Sequence, residues 1–100
     1  MVSEEEVRKA LSHVIDPELN LNIVDLGLIY GIHIEGRVVH IKMTLTSPGC
    51  PAGPQILGGC QQVVENMEEV DKAEIELTFN PMWTIEKASP EVQALMKEFM

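Results

Sequence analysis

The 100-residue sequence predicts an α+β fold, a two-layer sandwich in which a small sheet is covered on one face by helices. Two patterns support this prediction. Apolar residues recur at helical spacing in three segments and alternate with polar residues in three others, so every element has one buried face. The elements follow the order αββαβα. With 45% hydrophobic residues, the chain can bury one compact core, and we expect a single domain over residues 1–100.

The first helix is predicted from its start signal. Ser3 and Glu6 have the spacing of a capping box, in which each side chain bonds the other residue's backbone N–H. Pro17 disfavours helical geometry at the preceding residue, so we expect the helix to end at Asp16. The predicted buried stripe consists of Val7, Ala10, Leu11, Val14 and Ile15.

A β-hairpin should follow, with Glu35-Gly36 as its two-residue turn. Apolar residues alternate at positions 28, 30, 32 and 34 on one strand and at 39, 41, 43 and 45 on the next. Pairing Ile34 with Arg37 sets these apolar faces opposite each other.

The second half of the chain predicts a helix, a strand and a helix. The second helix should be capped by Gly53, with Pro54 at its first position. The third strand alternates apolar and polar residues over 73–79. Ser89 should cap the last helix, with Pro90 at its first position. The stripe of the second helix is Ile56, Leu57, Cys60, Val63, Val64 and Met67, and that of the last helix is Val92, Leu95, Met96 and Phe99.

Charge and segment length exclude several classes of function. The net charge is 7 minus 16, or −9, which repels nucleic acid and anionic lipid. No apolar run approaches the roughly 20 residues of a membrane span, and the acidic start lacks the basic-then-apolar order of a signal peptide. We therefore expect a cytoplasmic protein with neither a nucleic-acid nor a membrane partner.

The residues Thr44-Leu45-Thr46-Ser47-Pro48-Gly49-Cys50-Pro51 carry a strand into a rigid turn that presents a thiol before the second helix. Loop amides near a helix start lower the pKa of a cysteine modestly and favour the thiolate, which attacks electrophiles or ligates metal. Cys60 lies on the apolar stripe of the helix and should be an inert core residue. Ten helical residues separate the two sulfurs by about 15 Å, so we expect no disulfide.

Several other residues allow both a functional and a structural interpretation. Asp16, Glu18 and Asp25 cluster before the hairpin and are either site carboxylates or turn formers. Thr46, with Thr44, is either a neighbour of Cys50 or an ordinary strand residue. Trp83 either caps the core or anchors a partner protein. The three histidines should lie on the surface, and none is spaced with a cysteine as in a closed zinc site.

Four motifs in order resemble the signature of the MIP-eighteen-type domain family, which includes SufT and PaaD. They are Asp16-Pro17-Glu18, residues 24–30, residues 44–51 and Pro81-Met82-Trp83, and together they span nearly the whole chain. The resemblance implies an iron-sulfur cluster assembly domain and a role in the maturation of iron-sulfur proteins. It places the family's signature cysteine on Cys50, its acidic positions on Asp16, Glu18 and Asp25, and its threonine on Thr46. Since the PaaD branch adds a cysteine-rich tail that this chain lacks, we expect a SufT-like role.

The leading hypothesis is a non-enzymatic assembly factor in which Cys50 is a transient ligand to iron or to an iron-sulfur cluster. Clusters usually have four protein ligands, so a second subunit in a homodimer, a small thiol or a client apo-protein would complete the shell. The expected partners are the assembly machinery and client apo-proteins. Two alternatives stay open: a metal-free adaptor that binds clients through the Cys50 loop and Trp83, and an enzyme with a Cys50 nucleophile. The enzyme ranks lowest because no histidine closely follows the loop.

Overall fold

The computed structural model describes residues 2–46 and 51–97 and confirms the predicted α+β architecture. The elements are α1 (Glu4–Leu11), β1 (Ile15–Asp16), β2 (Leu21–Asn22), β3 (Ile29–Glu35), β4 (Val38–Met43), α2 (Gly53–Glu65), β5 (Lys72–Leu77), a 3-10 turn (Ile85–Lys87) and α3 (Pro90–Lys97). Within the described ranges β3, β4 and β5 form one sheet in that order, antiparallel between β3 and β4 and parallel between β4 and β5. A two-residue ladder, β1 with β2, was not predicted.

The core lies between one face of this sheet and the helices. Val39, Ile41 and Ala73 are buried on that face, and α2 contacts both β5 and α1. Cys60 and Val64 are the buried residues of α2 in its second half. The opposite face of the sheet carries charged and imidazole side chains, so the sheet is amphipathic as its alternation predicted.

Helix α1 begins as predicted and ends earlier than predicted. Both capping-box bonds between Ser3 and Glu6 form at 3.1 Å. The helix ends at Leu11, not at Asp16, and a tight turn follows. Val14 is buried, Ile15 is 44% exposed and Asp16 is buried again, which is the period of an extended chain. Helical and extended periods cannot be distinguished over three residues, which explains the wrong boundary.

The hairpin register differs from the prediction by two residues. The turn residues are Gly36 and Arg37, and Ile34 pairs with Val39 instead of Arg37. A shift of two residues moves every side chain to an equivalent position on the same face, so the apolar pattern could not distinguish the two registers. The register also slips at Tyr30, which bulges between the paired residues on either side of it.

The turn contributes to the pairing of β5. The Arg37 guanidinium donates to the Asp71 carboxylate at 2.9 Å and to the Glu68 carbonyl at 2.7 Å. The Arg37 carbonyl accepts the Asp71 N–H at 2.7 Å. These bonds hold the start of β5 beside β4, and they require Arg37 in the turn.

Helix α2 begins one residue before the predicted position. Ala52 is the N-cap residue, so Gly53 and Pro54 occupy the first two helical positions. A proline there needs no hydrogen-bond partner for its missing N–H, because the N–H groups of the first turn have none within the helix. Of the predicted stripe, Ile56, Cys60 and Val64 are fully buried, and the other three members are half-buried.

Helix α3 begins as predicted, and one of its predicted core residues is wrong. The Ser89 hydroxyl accepts the Val92 N–H at 3.3 Å, and Val92 is buried. Leu95 is 41% exposed and does not face inward. The Met96 side chain and residue Phe99 lie outside the part of the chain that the structure describes.

We predict that Gly27→Ala will lower the free energy of unfolding by at least about 2 kcal/mol. Gly27 has φ +77°, and a Cβ there would overlap the Lys87 carbonyl oxygen. Gly36→Ala is the matched control, because φ is also positive (+59°) but no atom lies within 4 Å of the added Cβ. It should cost about 1 kcal/mol. Urea unfolding measures both, and equal losses would show that the Lys87 contact does not matter.

Candidate functional site

Three backbone hydrogen bonds place three of the sequence motifs side by side. The Ile23 N–H donates to the Val14 carbonyl at 3.0 Å, and the Leu28 N–H donates to the Ile23 carbonyl at 3.1 Å. The Thr44 N–H donates to the Leu28 carbonyl at 2.9 Å. The segment before Asp16, the segment 23–28 and the exit of β4 therefore lie at the same end of the molecule.

The fourth motif packs against the same segment. The Trp83 indole N–H donates to the Leu26 carbonyl, and the Tyr30 hydroxyl donates to the Pro81 carbonyl at 2.8 Å. The Ser89 N–H donates to the Asp25 carbonyl at 2.8 Å. Trp83 is half-buried and packs against the core, which agrees with its interpretation as a core cap.

Asp16 is the most unusual side chain in this region, because it is a carboxylate with only 1% of its surface exposed. Its Oδ1 accepts the Glu18 N–H at 2.9 Å, and its carbonyl accepts the Asn20 N–H at 2.7 Å. Its Oδ2 is buried and has no hydrogen-bond partner within the described ranges. The Oδ1 atom of Asp16 therefore forms the turn. Because buried polar atoms are nearly always hydrogen-bonded, its Oδ2 atom is left for an additional contact.

The other two candidate carboxylates are exposed. The Asp25 carboxylate accepts the Asn22 side-chain N–H at 2.9 Å, and the Asp25 N–H donates to the Asn22 side-chain oxygen at 2.9 Å. These bonds support the turn-forming interpretation of Asp25. Glu18 contributes its backbone N–H to the Asp16 turn, and its side chain faces solvent.

The two threonines differ in environment. Thr44 is fully buried, and its hydroxyl donates to the Leu45 carbonyl at 3.3 Å. Met43, Thr44 and Leu45 are all buried, so the predicted alternation ends where the chain leaves the sheet. Thr46 is half-buried and is the last residue described before the loop.

Tyr30 links the bulge to the fourth motif, a role that the apolar pattern of the strand does not predict. In the sequence Tyr30 belongs to the alternating apolar residues of β3, and only its hydroxyl indicates a polar role. Burial raises the pKa of Tyr30, and a hydrogen bond with Thr44 lowers it by less. The hydroxyl therefore keeps its proton for the bond to Pro81. The Lys87 ammonium lies 5.2 Å from the centre of the Tyr30 ring, a cation–π distance.

Cys50 lies outside the described residues, but both ends of its loop are anchored. Thr44 is bonded to Leu28 on one side. On the other side Ala52 is buried, and a Cβ on Gly53 would lie 2.9 Å from Leu45 Cδ1. The start of α2 therefore packs closely against the exit of β4, and only a glycine fits there without displacing Leu45.

Cys60 is a free, fully buried thiol, as predicted for a core residue. Burial raises its pKa to about 12, because the apolar core disfavours the thiolate. No group of three or more Cys, His, Asp and Glu side chains that could hold a metal occurs within residues 2–46 and 51–97. Among the helices described over these ranges, none combines the length and the apolar character that a membrane span requires.

The sequence model of the family described as iron-sulfur cluster assembly protein matches residues 4–77. The chain belongs to this family. It is 41% identical over 87 residues to the Fe-S protein maturation auxiliary factor YitW of Bacillus subtilis, covering 86% of this chain and 85% of that protein. It is 43% identical over 72 residues to the auxiliary factor SufT of Staphylococcus aureus, covering 71% and 82%. The resemblance to the domain family that includes SufT is thereby confirmed.

A solved structure agrees with the family assignment. A crystal structure of a domain of unknown function from Bacillus anthracis superposes with a TM-score of 0.88 at 36% identity. The match covers 94% of this chain and 91% of that chain. The fold predicted from the sequence is therefore also the fold of the Bacillus anthracis domain.

We predict that only one of the two cysteines will react with iodoacetamide in the native protein at pH 8. The raised pKa of Cys60 leaves almost no thiolate there until the pH approaches about 12. Mass spectrometry of the alkylated peptides should find the label on Cys50 alone, and on both residues after denaturation. Labelling of Cys60 in the folded protein would contradict its assignment to the core.

Proposed function

We propose that this protein is a non-enzymatic iron-sulfur maturation factor in which the Cys50 thiolate is a transient ligand to an iron ion or cluster passed to an apo-protein. Its membership of the iron-sulfur cluster assembly family supports the general role. The observation that carries the site assignment is the buried Asp16 Oδ2, which has no hydrogen-bond partner among the described residues.

The position of Asp16 supports this assignment. The segment that ends at Asp16 is joined through Ile23 and Leu28 to Thr44, and the chain then runs from Thr44 into the Cys50 loop. A buried acceptor left without a partner costs about 1–3 kcal/mol. A contact from the loop or from its iron cargo would recover that cost. Asp16 therefore either binds the cargo directly or accepts a hydrogen bond from a group that does.

A small ligand set suits a protein that gives up its cargo. Cys50 supplies one soft ligand, and a carboxylate oxygen is a harder donor that binds iron less well than thiolate. An iron-sulfur cluster usually has four protein ligands, so a second copy of this chain, a small thiol or the client must supply the rest. A cluster held by few ligands transfers readily. In this scheme the half-buried Thr46, shortly before Cys50 in the sequence, and the exposed Glu18 are further candidate contacts for the cargo, whereas Asp25 forms the turn with Asn22.

A specific observation favours a second candidate function, the metal-free adaptor. Met82 is 58% exposed beside the half-buried Trp83, so an apolar side chain is available next to the fourth motif. The indole N–H of Trp83 is already bonded to the Leu26 carbonyl. In the adaptor scheme Met82, not Trp83, is the main contact with a client apo-protein. We assign either role to the cytoplasm, where cysteines remain reduced.

We predict that Cys50→Ser will abolish cargo binding and transfer. After anaerobic reconstitution with ferrous iron and sulfide, the variant should lack the visible absorption of the unaltered protein and should not activate an apo-protein acceptor. Cys60→Ala is the control, because it removes a thiol that is buried in the core. If Cys50→Ser behaves like the unaltered chain, the ligand proposal fails. If neither protein binds iron and both complement a cluster-assembly defect in cells, the adaptor is correct.

We predict that Asp16→Asn will slow transfer to the acceptor by about tenfold or more, the usual cost of losing a partner of a metal-site group. The amide oxygen can still accept the Glu18 N–H, so the turn is retained. Asp25→Asn is the matched control, since it removes the same charge from an exposed carboxylate. Equal transfer rates for the two variants would remove Asp16 from the site. Circular dichroism checks that both fold.

A further inference from the structure

Two histidines face each other on the sheet face that points away from α1 and α2. His33 of β3 and His40 of β4 are directly paired across the antiparallel ladder. Their ring centres are 5.9 Å apart, and the ring planes are tilted by 36°. Their side chains are 69% and 38% exposed, so both are accessible from solvent. Neither has a role in the proposed cargo site.

Each imidazole is held by a carboxylate through one of its nitrogens. His40 Nδ1 lies 2.9 Å from the Glu74 carboxylate, and His33 Nε2 lies 2.9 Å from the Glu35 carboxylate. His33 Nδ1 and His40 Nε2 have no hydrogen-bond partner among the residues that the structure describes. A carboxylate on one nitrogen and a metal on the other is the usual arrangement of histidine ligands, because the carboxylate fixes the ring and raises its basicity.

The spacing of the rings fits a shared metal ion. Zinc lies about 2.0–2.1 Å from an imidazole nitrogen, and two rings bound to one ion at tetrahedral or wider angles have centres about 5 to 6 Å apart. The observed 5.9 Å falls in this range. We propose that His33 and His40 chelate a divalent transition metal ion of the class that prefers imidazole, namely nickel, copper or zinc.

The surroundings leave space for the rest of the coordination shell. A groove of about 460 Å³ runs over this face. Gly31, two residues before His33 on the same strand face, contributes no side chain, and nothing lies within 4 Å of where its Cβ would be. Because no set of three donors occurs within the described ranges, water or a small ligand must fill the open positions. The ion is therefore bound by two imidazoles and remains exchangeable.

The carboxylates of Glu74 and Glu76 on this face are paired with lysine side chains. The proposed metal site therefore does not depend on an unpaired acidic patch. Glu74 lies 3.2 Å from the Lys72 ammonium as well as near His40. Glu76 lies 3.7 Å from the Lys42 ammonium. The attraction for a cation comes from the paired imidazoles and the carboxylates that hold them. This proposal does not rest on the Cys50 function, since none of its residues belongs to the proposed cargo site.

Nickel titration tests the proposal. Isothermal titration calorimetry with nickel chloride on the Cys50→Ser protein avoids binding by the loop thiol. His33→Ala and His40→Ala should each weaken nickel binding at least tenfold. His13→Ala is the matched control, because it removes an exposed histidine remote in sequence from the pair and should leave binding unchanged. Equal effects of all three variants, or unchanged binding in the His33 and His40 variants, would overturn the proposal.

A second pair of variants tests the role of the carboxylate. Glu74→Gln should weaken nickel binding by about tenfold, because it removes the group that holds His40 Nδ1. Glu76→Gln removes the same charge from the same strand face without touching either histidine, and it should have little effect. In the Cys50→Ser protein, paramagnetic nickel should broaden the ring-proton NMR signals of His33 and His40 before that of His13. Broadening of His13 first would contradict the site.

Discussion

The arrangement of this molecule depends on the backbone of residues 23–28. Ile23, Leu26 and Leu28 bury their side chains completely, while their backbone groups bond to other parts of the chain. The Ile23 N–H is bonded to Val14, the Leu28 carbonyl to Thr44, and the Leu26 carbonyl to the Trp83 indole. A short irregular segment therefore holds together three stretches that are distant in sequence. Irregular segments need such partners, because a buried backbone group without a hydrogen bond is costly.

The glycine in this segment explains how tightly the last motif can pack. The Lys87 carbonyl occupies the space where a side chain at Gly27 would lie, and the positive φ angle is one that glycine adopts without strain. The chain from Pro81 to Ser89 can therefore lie directly on the segment. Residues 23–28 and 81–89 together form a rigid scaffold. Functional residues commonly lie on loops that such a scaffold holds in place.

Local signals in the sequence predicted most of the fold, and contacts between distant residues decided the rest. The capping box of Ser3 and Glu6, the Ser89 cap and the stripes of buried residues each follow from spacing within one element. The hairpin register does not follow from local spacing, because Asp71 and Glu68, more than 30 positions away, fix Arg37 in the turn. A shift by two residues leaves the apolar pattern unchanged, so no local rule could detect it.

In the candidate functional site, too, some features could be predicted from the sequence and others are shown only by the structure. The motif residues could be named from the sequence, but the turn and site interpretations of the carboxylates could not be separated there. The structure distinguishes Asp16, which is buried with one oxygen unpaired, from Asp25, which is exposed and bonded to Asn22. This difference depends on the early end of α1, since the chain is extended at Ile15 and Asp16 and turns Asp16 inward while Ile15 points outward. An error of a few residues in the predicted end of α1 was therefore enough to leave the burial of Asp16 unpredicted.

The two cysteines lie in different parts of the chain, Cys60 within α2 and Cys50 before it, and only Cys50 is proposed to be functional. Cys60 lies on the buried face of α2, where the apolar core raises its pKa to about 12 and disfavours the thiolate, the form that binds metal. Cys50 precedes the helix, in a loop whose ends are fixed by the Thr44–Leu28 bond and by the packing of Gly53 on Leu45. In the proposed scheme Cys50 is the one thiolate that the chain offers, so a bound cluster would need donors from another molecule. Shared coordination of that kind would give the acceptor protein a direct route to the cargo, because its own ligands could replace the carrier's one at a time.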